Sequence, residues 1–287
     1  MQQNAFKTLK LIAKENAKKL IFTFSLVLAE NALFLMYPIF AGFAINSLIA
    51  GERVKALVYA LVVLFMWFVG AVRRRVDTQV FTSIYAKIAV NVILNEKQNQ
   101  KDDSTIIARV ALSREFVNFF ESHFPMFFTT VVSIIGSAFM LLFIELKVAL
   151  ACVLVMVVFA LVLPGYVRRN DYLYLRLNDR LEKETAAINL GKFSTLKRHY
   201  DIVSRLRVAI SNREATSYFI IGVSAAFLFA TAFLTMDIGG KDSAGHIYSV
   251  VTYLWSFAIS LDDSPRLIEE FSNLKDIGKR INAASKE

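Results

Sequence analysis

Long apolar runs alternate along the chain with long, densely charged stretches, and the two kinds of segment differ in period. Six runs approach the scale of a membrane crossing: Leu20 to Leu48, broken only by Glu30 and Asn31; Ala56 to Val72; Phe124 to Ile144; Val148 to Val167; Tyr218 to Met236; and the shorter Ile247 to Leu261. A bilayer's hydrocarbon core is about 30 Å thick and a helix rises about 1.5 Å per residue, so spanning helices need roughly 17 to 25 apolar residues. The sixth run counts as a span because Gly245, Ser249, Thr252, Ser256 and Ser260 suit close helix packing. A helix surrounded by protein needs no long lipid-facing run.

Between spans two and three, Val76, Val80, Ile84, Ile88 and Val92 recur every fourth residue, a polar stretch runs from Asn95 to Ser104, and Val110, Val117, Phe120 and Phe124 resume the pattern. This predicts a helical hairpin over about 73–123. Between spans four and five, Tyr174, Leu177, Leu181 and Ile188 mark one leg of a second hairpin over about 166–216. Asn189 to Ser194, with Gly191, is its expected turn, and Ile202, Leu206 and Ile210 mark the return. Legs of roughly 25 residues reach about 35 to 40 Å beyond the membrane. The fold class expected is an all-α membrane protein with six transmembrane helices and long cytoplasmic extensions.

Composition agrees with the pattern: 56% of the 287 residues are hydrophobic and mean hydropathy is +0.49, more apolar surface than one soluble core of this size hides. Charge sets the orientation. If the six runs are six crossings, 29 of the 33 Lys and Arg residues fall on the side of the termini and the two hairpins, leaving Arg53, Lys55, Lys147 and Lys241 opposite. The positive-inside rule then puts both termini in the cytoplasm of a multi-pass protein, in the plasma (inner) membrane. The net charge of +9 is spread over every cytoplasmic segment and interleaved with acids, which argues against nucleic acid as a partner. Residues 1–19, with Phe6, Leu9, Ala13 and Ala17 between lysines, read as an interfacial helix on membrane lipid, or else as a frayed basic tail. The apolar run after Lys18 and Lys19 is too long for a cleaved leader and is expected to stay.

Candidate chemistry is sparse. His123, His199 and His246 are far apart in sequence, Cys152 stands alone, and neither a metal-ligand spacing nor a nucleophile–base arrangement emerges. No cofactor is expected. Gly191-Lys192 lacks the flanking residues of a phosphate-binding loop: Phe193 follows where a hydroxyl is needed and Ala186 stands at the first glycine position. Without ATPase motifs the chain is not expected to be an enzyme. Glu30 and Asn31 interrupt a span, where an ionisable group normally faces a cavity, an ion path or a partner, so both are pathway candidates; a protonated acid bonded to a neighbouring helix is the structural alternative. Arg73, followed by Arg74 and Arg75, either rings a cytoplasmic mouth or simply fixes topology. Asp262 and Asp263 end the sixth span, drawing cations to an inner vestibule or capping a helix break before Pro265.

Six stretches together resemble the transmembrane domain of six-helix ABC exporters. Tyr37-Pro38-Ile39-Phe40-Ala41-Gly42 with Ile45-Asn46 and Gly51 is similar to the end of that family's first helix, with Asn46 in place of the usual acid. Ala108-Arg109-Val110 through Glu115 and Phe116 to Pro125 is similar to its return leg into the third helix, although the usual Asp is not matched. Gly240 to Ile247 resembles the entry to its sixth helix with one extra residue, and Tyr253-Leu254-Trp255, Ser264 to Leu267 and Gly278-Lys279-Arg280-Ile281 resemble its continuation. The resemblance spans nearly the whole chain and implies a transport permease over 20–287 without a nucleotide-binding domain. It implies a homodimer or a pairing with a related six-helix subunit, driven by a separately encoded nucleotide-binding subunit. Lys101, Asp102 and Phe193, at the hairpin tips, are the docking candidates for that subunit. The alternative is an ATP-independent ion channel or passive pore on the same fold.

Overall fold

The computed structural model describes residues 16–100, 102–237 and 243–284, and side chains as far as Ser264 apart from those at 108, 112 and 116. Most of the expected interfacial helix, Lys101 and the stretch 238–242 lie outside the described residues. Every regular element described is helical: α1 (Ala17–Ile49), α2 (Arg53–Gln98), α3 (Asp103–Asn118), a π-helical turn (Phe119–His123), α4 (Phe124–Ile144), α5 (Leu146–Glu182), α6 (Glu184–Leu190), α7 (Phe193–Thr235) and α8 (Ala244–Ala284). Five helices are long and apolar enough to cross a bilayer: α1, α2, α3 continuing into α4, α5 continuing into α6, and α7. The sixth expected run begins α8, where Val250, Tyr253, Leu254 and Phe257 are essentially inaccessible. Its short apolar length fits a helix covered by protein instead of lipid.

The chain divides into two compact units, one of residues 1–144 and 236–287, the other of residues 145–235. In the first, α1 packs against α2, α4 and α8, and α8 packs in turn against α4. Its hairpin legs meet through Val80, Phe81, Ile84, Ile88 and Val117, the stripe the every-fourth-residue spacing predicts, with Phe81 added. In the second, α5 and α7 pair through Leu177, Val203 and Ile210, supported by Tyr174, Leu181 and Leu206. Here the expected turn is shortened: α6 occupies Glu184–Leu190, and Gly191, at φ +60°, reverses the chain in a left-handed conformation that suits glycine. On α2, Leu61, Leu64, Trp67 and Phe68 remain more than 60% exposed, an apolar surface that suits lipid or a protein partner.

The first unit is held by a seam between α1 and α8. A Cβ added at Gly42 or at Gly245 would collide with the other residue's carbonyl oxygen, so the two backbones touch. Pro38 interrupts the hydrogen-bond ladder of α1. Around it Ser249 donates to the Pro38 carbonyl at 2.8 Å and the Tyr253 hydroxyl donates to the Leu35 carbonyl. At the far end Asn46 accepts the Gly245 N–H at 2.9 Å and donates to the Ser243 hydroxyl at 2.9 Å, tying down the start of α8. One neutral amide thus meets a donor and an acceptor at the position where the family resemblance has an acid.

Candidate functional site

Where α2 leaves its apolar run, the residues that interrupted the sequence pattern come together. Glu30 on α1 and Asp77 on α2 both bind Arg73: Glu30 through the guanidinium Nε, and Asp77, one turn further along α2, at 3.0 Å from Nη1. Room for the cross-helix pair comes from Gly70, where a Cβ would stand 2.8 Å from Glu30 Oε1. Glu30 is 9% exposed and Asp77 4%, so the cluster is largely withdrawn from water. Ions this buried persist because they are paired; here Arg73 forms an ion pair with both carboxylates, hydrogen-bonding Asp77 through Nη1 while its Nε makes no hydrogen bond of good geometry. Two acids on one base leave the cluster with one net negative charge.

Arg73, the partner of Glu30, immediately follows Val72, the end of the expected second span. Asn31 does not support Glu30. Its side chain donates to the Val27 carbonyl, 2.8 Å away in its own helix.

Beside the cluster opens a cavity of about 480 Å³. Its charged wall is Arg73, Arg74 and Asp77 from α2, Glu121 from the π-helical turn, and Asp263 from α8. Hydroxyls are supplied by Thr78, Ser122, Thr129 and Thr130, and Pro125 and Met126 add apolar surface. The π turn has a local cause: Pro125 has no N–H for the ladder, and the turn widens so that Phe124 N–H reaches the Phe119 carbonyl. Asp77 lies beyond the expected second span, and burial, the largest influence, raises its carboxyl above the ordinary 3.8, against the opposing pull of Arg73. Asp262, exposed on α8, does not line the cavity; partial burial and then the neighbouring Asp263 raise its carboxyl as well.

Of the candidates read from sequence, Glu30 and Arg73 therefore touch, and Arg73 and Asp263 share a cavity wall. Asp77 escaped that reading, although an acid four residues after an arginine on a helix is a legible pair. Glu121 had no comparable signal. At the hairpin tips, Asp102 caps α3, accepting the Thr105 N–H at 3.4 Å and the hydroxyls of Ser104 and Thr105, which hold its carboxyl at about 2. Phe193, the first residue of α7, is 80% exposed. Among the described residues no group of three His, Cys, Asp or Glu is arranged to hold a metal ion.

Comparison with known families matches residues 9–245 to a family described as ABC transporter transmembrane region. No curated protein sequence matches the chain.

Proposed function

The chain belongs to the ABC transporter transmembrane region family, and on that premise we propose that it is a transport permease whose pathway passes the Glu30–Arg73–Asp77 cluster. It is a multi-pass membrane protein with apolar helices of spanning length. In this reading both termini are cytoplasmic, and two copies, or one copy and a related subunit, enclose the pathway. A separately encoded ATPase then supplies the energy, docking near Asp102 and Phe193. The family match over 237 consecutive residues is the observation that carries the proposal. The buried ion cluster beside a cavity supports it, because charges withdrawn from water at a membrane boundary normally serve a path or a partner. An 80% exposed phenylalanine at a helical tip is likewise a suitable contact for a docking subunit.

Sealed liposomes provide the test. Purified protein alone is expected to hold gradients of Na⁺, K⁺ and Cl⁻. From native membranes, ATPase activity is expected to co-purify with the wild type and to fall at least about tenfold for Phe193→Asp, the loss given by removing one central apolar contact. Nucleotide-free ion flux that changes with Glu30→Gln would make the protein a passive pore instead.

A further inference from the structure

We propose that the cavity beside Arg73 binds an organic cation, an alkylammonium or guanidinium group, at the side chains of Asp77, Glu121 and Asp263. The inference rests on the permease reading only for the site's place on a pathway; binding itself can be measured without transport. Charge is the first argument. Around the cavity and its ion cluster, the carboxylates of Glu30, Asp77, Glu121 and Asp263 outnumber the guanidiniums of Arg73 and Arg74 by four to two. An anion would meet exposed Arg74 against three wall carboxylates, Arg73 being held by two buried ones, whereas a cation adds to an existing deficit of positive charge.

The second argument is an oxygen. Asp77 Oδ2 holds Arg73, but Oδ1, on the same 4% exposed side chain lining the cavity, is buried and has no hydrogen-bond partner among the described residues. A buried carboxylate oxygen without a donor is costly, and most such atoms in folded proteins are satisfied. An ammonium or guanidinium N–H supplies the donor this oxygen lacks. Thr130, 5% exposed on the same wall, adds a hydroxyl acceptor.

Shape selects the class of cation. No three of the carboxylates converge as metal ligands do, so the negative charge is distributed along the wall instead of focused on one point. A volume of about 480 Å³ accommodates a small organic molecule, and Pro125 and Met126 offer contact for its alkyl part.

The test is equilibrium binding to the purified full chain in nanodiscs, with three probes of equal length: putrescine, 1,4-butanediol and succinate. Putrescine is expected to bind saturably and the neutral and anionic probes not to bind. Asp263→Asn and Glu121→Gln are each expected to weaken putrescine by about five- to tenfold, the loss of one charge-assisted contact. Glu214→Gln, at an exposed acid outside the cavity wall, is expected to leave it unchanged. Asp77→Asn should abolish binding; if that variant does not fold, the substitution at exposed Asp263 carries the decision. Succinate binding in place of putrescine overturns the inference, as does putrescine binding that is absent or indifferent to both Asp263→Asn and Glu121→Gln. The permease reading fails separately: liposomes that leak ions while putrescine still binds refute it and leave the cation site standing.

Discussion

Two arginines stand near the ends of expected spans, and their surroundings differ in kind. Arg73, in the first unit, meets the carboxylates of Glu30 and Asp77. Arg213, in the second, meets only neutral groups: the amide oxygen of Asn170, the carbonyl of Tyr166 at 3.5 Å, its hydroxyl at 3.4 Å, and the Tyr166 ring face 4.3 Å from the guanidinium carbon. Both guanidiniums find acceptors, yet only the first is neutralised, and it is overcompensated. Neutral acceptors and a π face hold an arginine in place while its charge remains available for counter-ions. Carboxylates make the arginine part of a mutually dependent set, so removing it exposes the others. A half-buried arginine is diagnosed by the formal charge of its acceptors more than by their number.

Arg73→Met provides the sharpest test. It leaves two buried carboxylates without their counter-charge, and a loss of about 3–5 kcal/mol is expected, read from the thermal unfolding midpoint in detergent. Arg213→Met removes hydrogen bonds and a ring contact but strands no charge, so its expected cost is about 1–2 kcal/mol. Equal losses for the two variants would erase the distinction.

Glu30→Gln moves the first site toward the second. The amide keeps its place beside Arg73, one buried charge is gone while Asp77 still balances the guanidinium, and stability should stay within about 1 kcal/mol of wild type. A loss as large as that of Arg73→Met would mean that the pairing geometry, and not the charge balance, governs the cluster.

The smallest effect is a dependence on pH. Because Asp77 is raised in the folded state, its contribution to stability is complete below the ordinary carboxylate value of 3.8 and is lost as pH rises through its folded value. Asp77→Asn should flatten that part of the unfolding profile. In an Arg73→Met background the retained Asp77 should steepen it, since the cation that lowers its carboxyl has been removed.

The helices and their hairpins were legible because Val80, Ile84 and Ile88, or Leu177 with Leu206 and Ile210, repeat with the helical period on legs that bury only one stripe. The site was legible only in part. Glu30 stood out against its apolar neighbours, but a run of that length does not fix its depth. Arg73 follows a span, where topology already accounts for an arginine, and this obscured its pairing with Asp77. Glu121 sits in a π turn, whose extra residue leaves no periodic trace, and α6 replaces part of an expected loop because the turn is concentrated at Gly191.

The backbone contact of Gly42 with Gly245 has a mechanical consequence. Two helices that touch without intervening side chains have no compressible layer between them, so neither can roll or slide at that point without breaking the hydrogen bonds of Asn46 and Ser249. The seam behaves as a riveted joint in a truss. Any rearrangement that opens or closes the carboxylate-lined end of the first unit must therefore be taken up by bending along the helices, where the wide turn before Pro125 already breaks the regular winding.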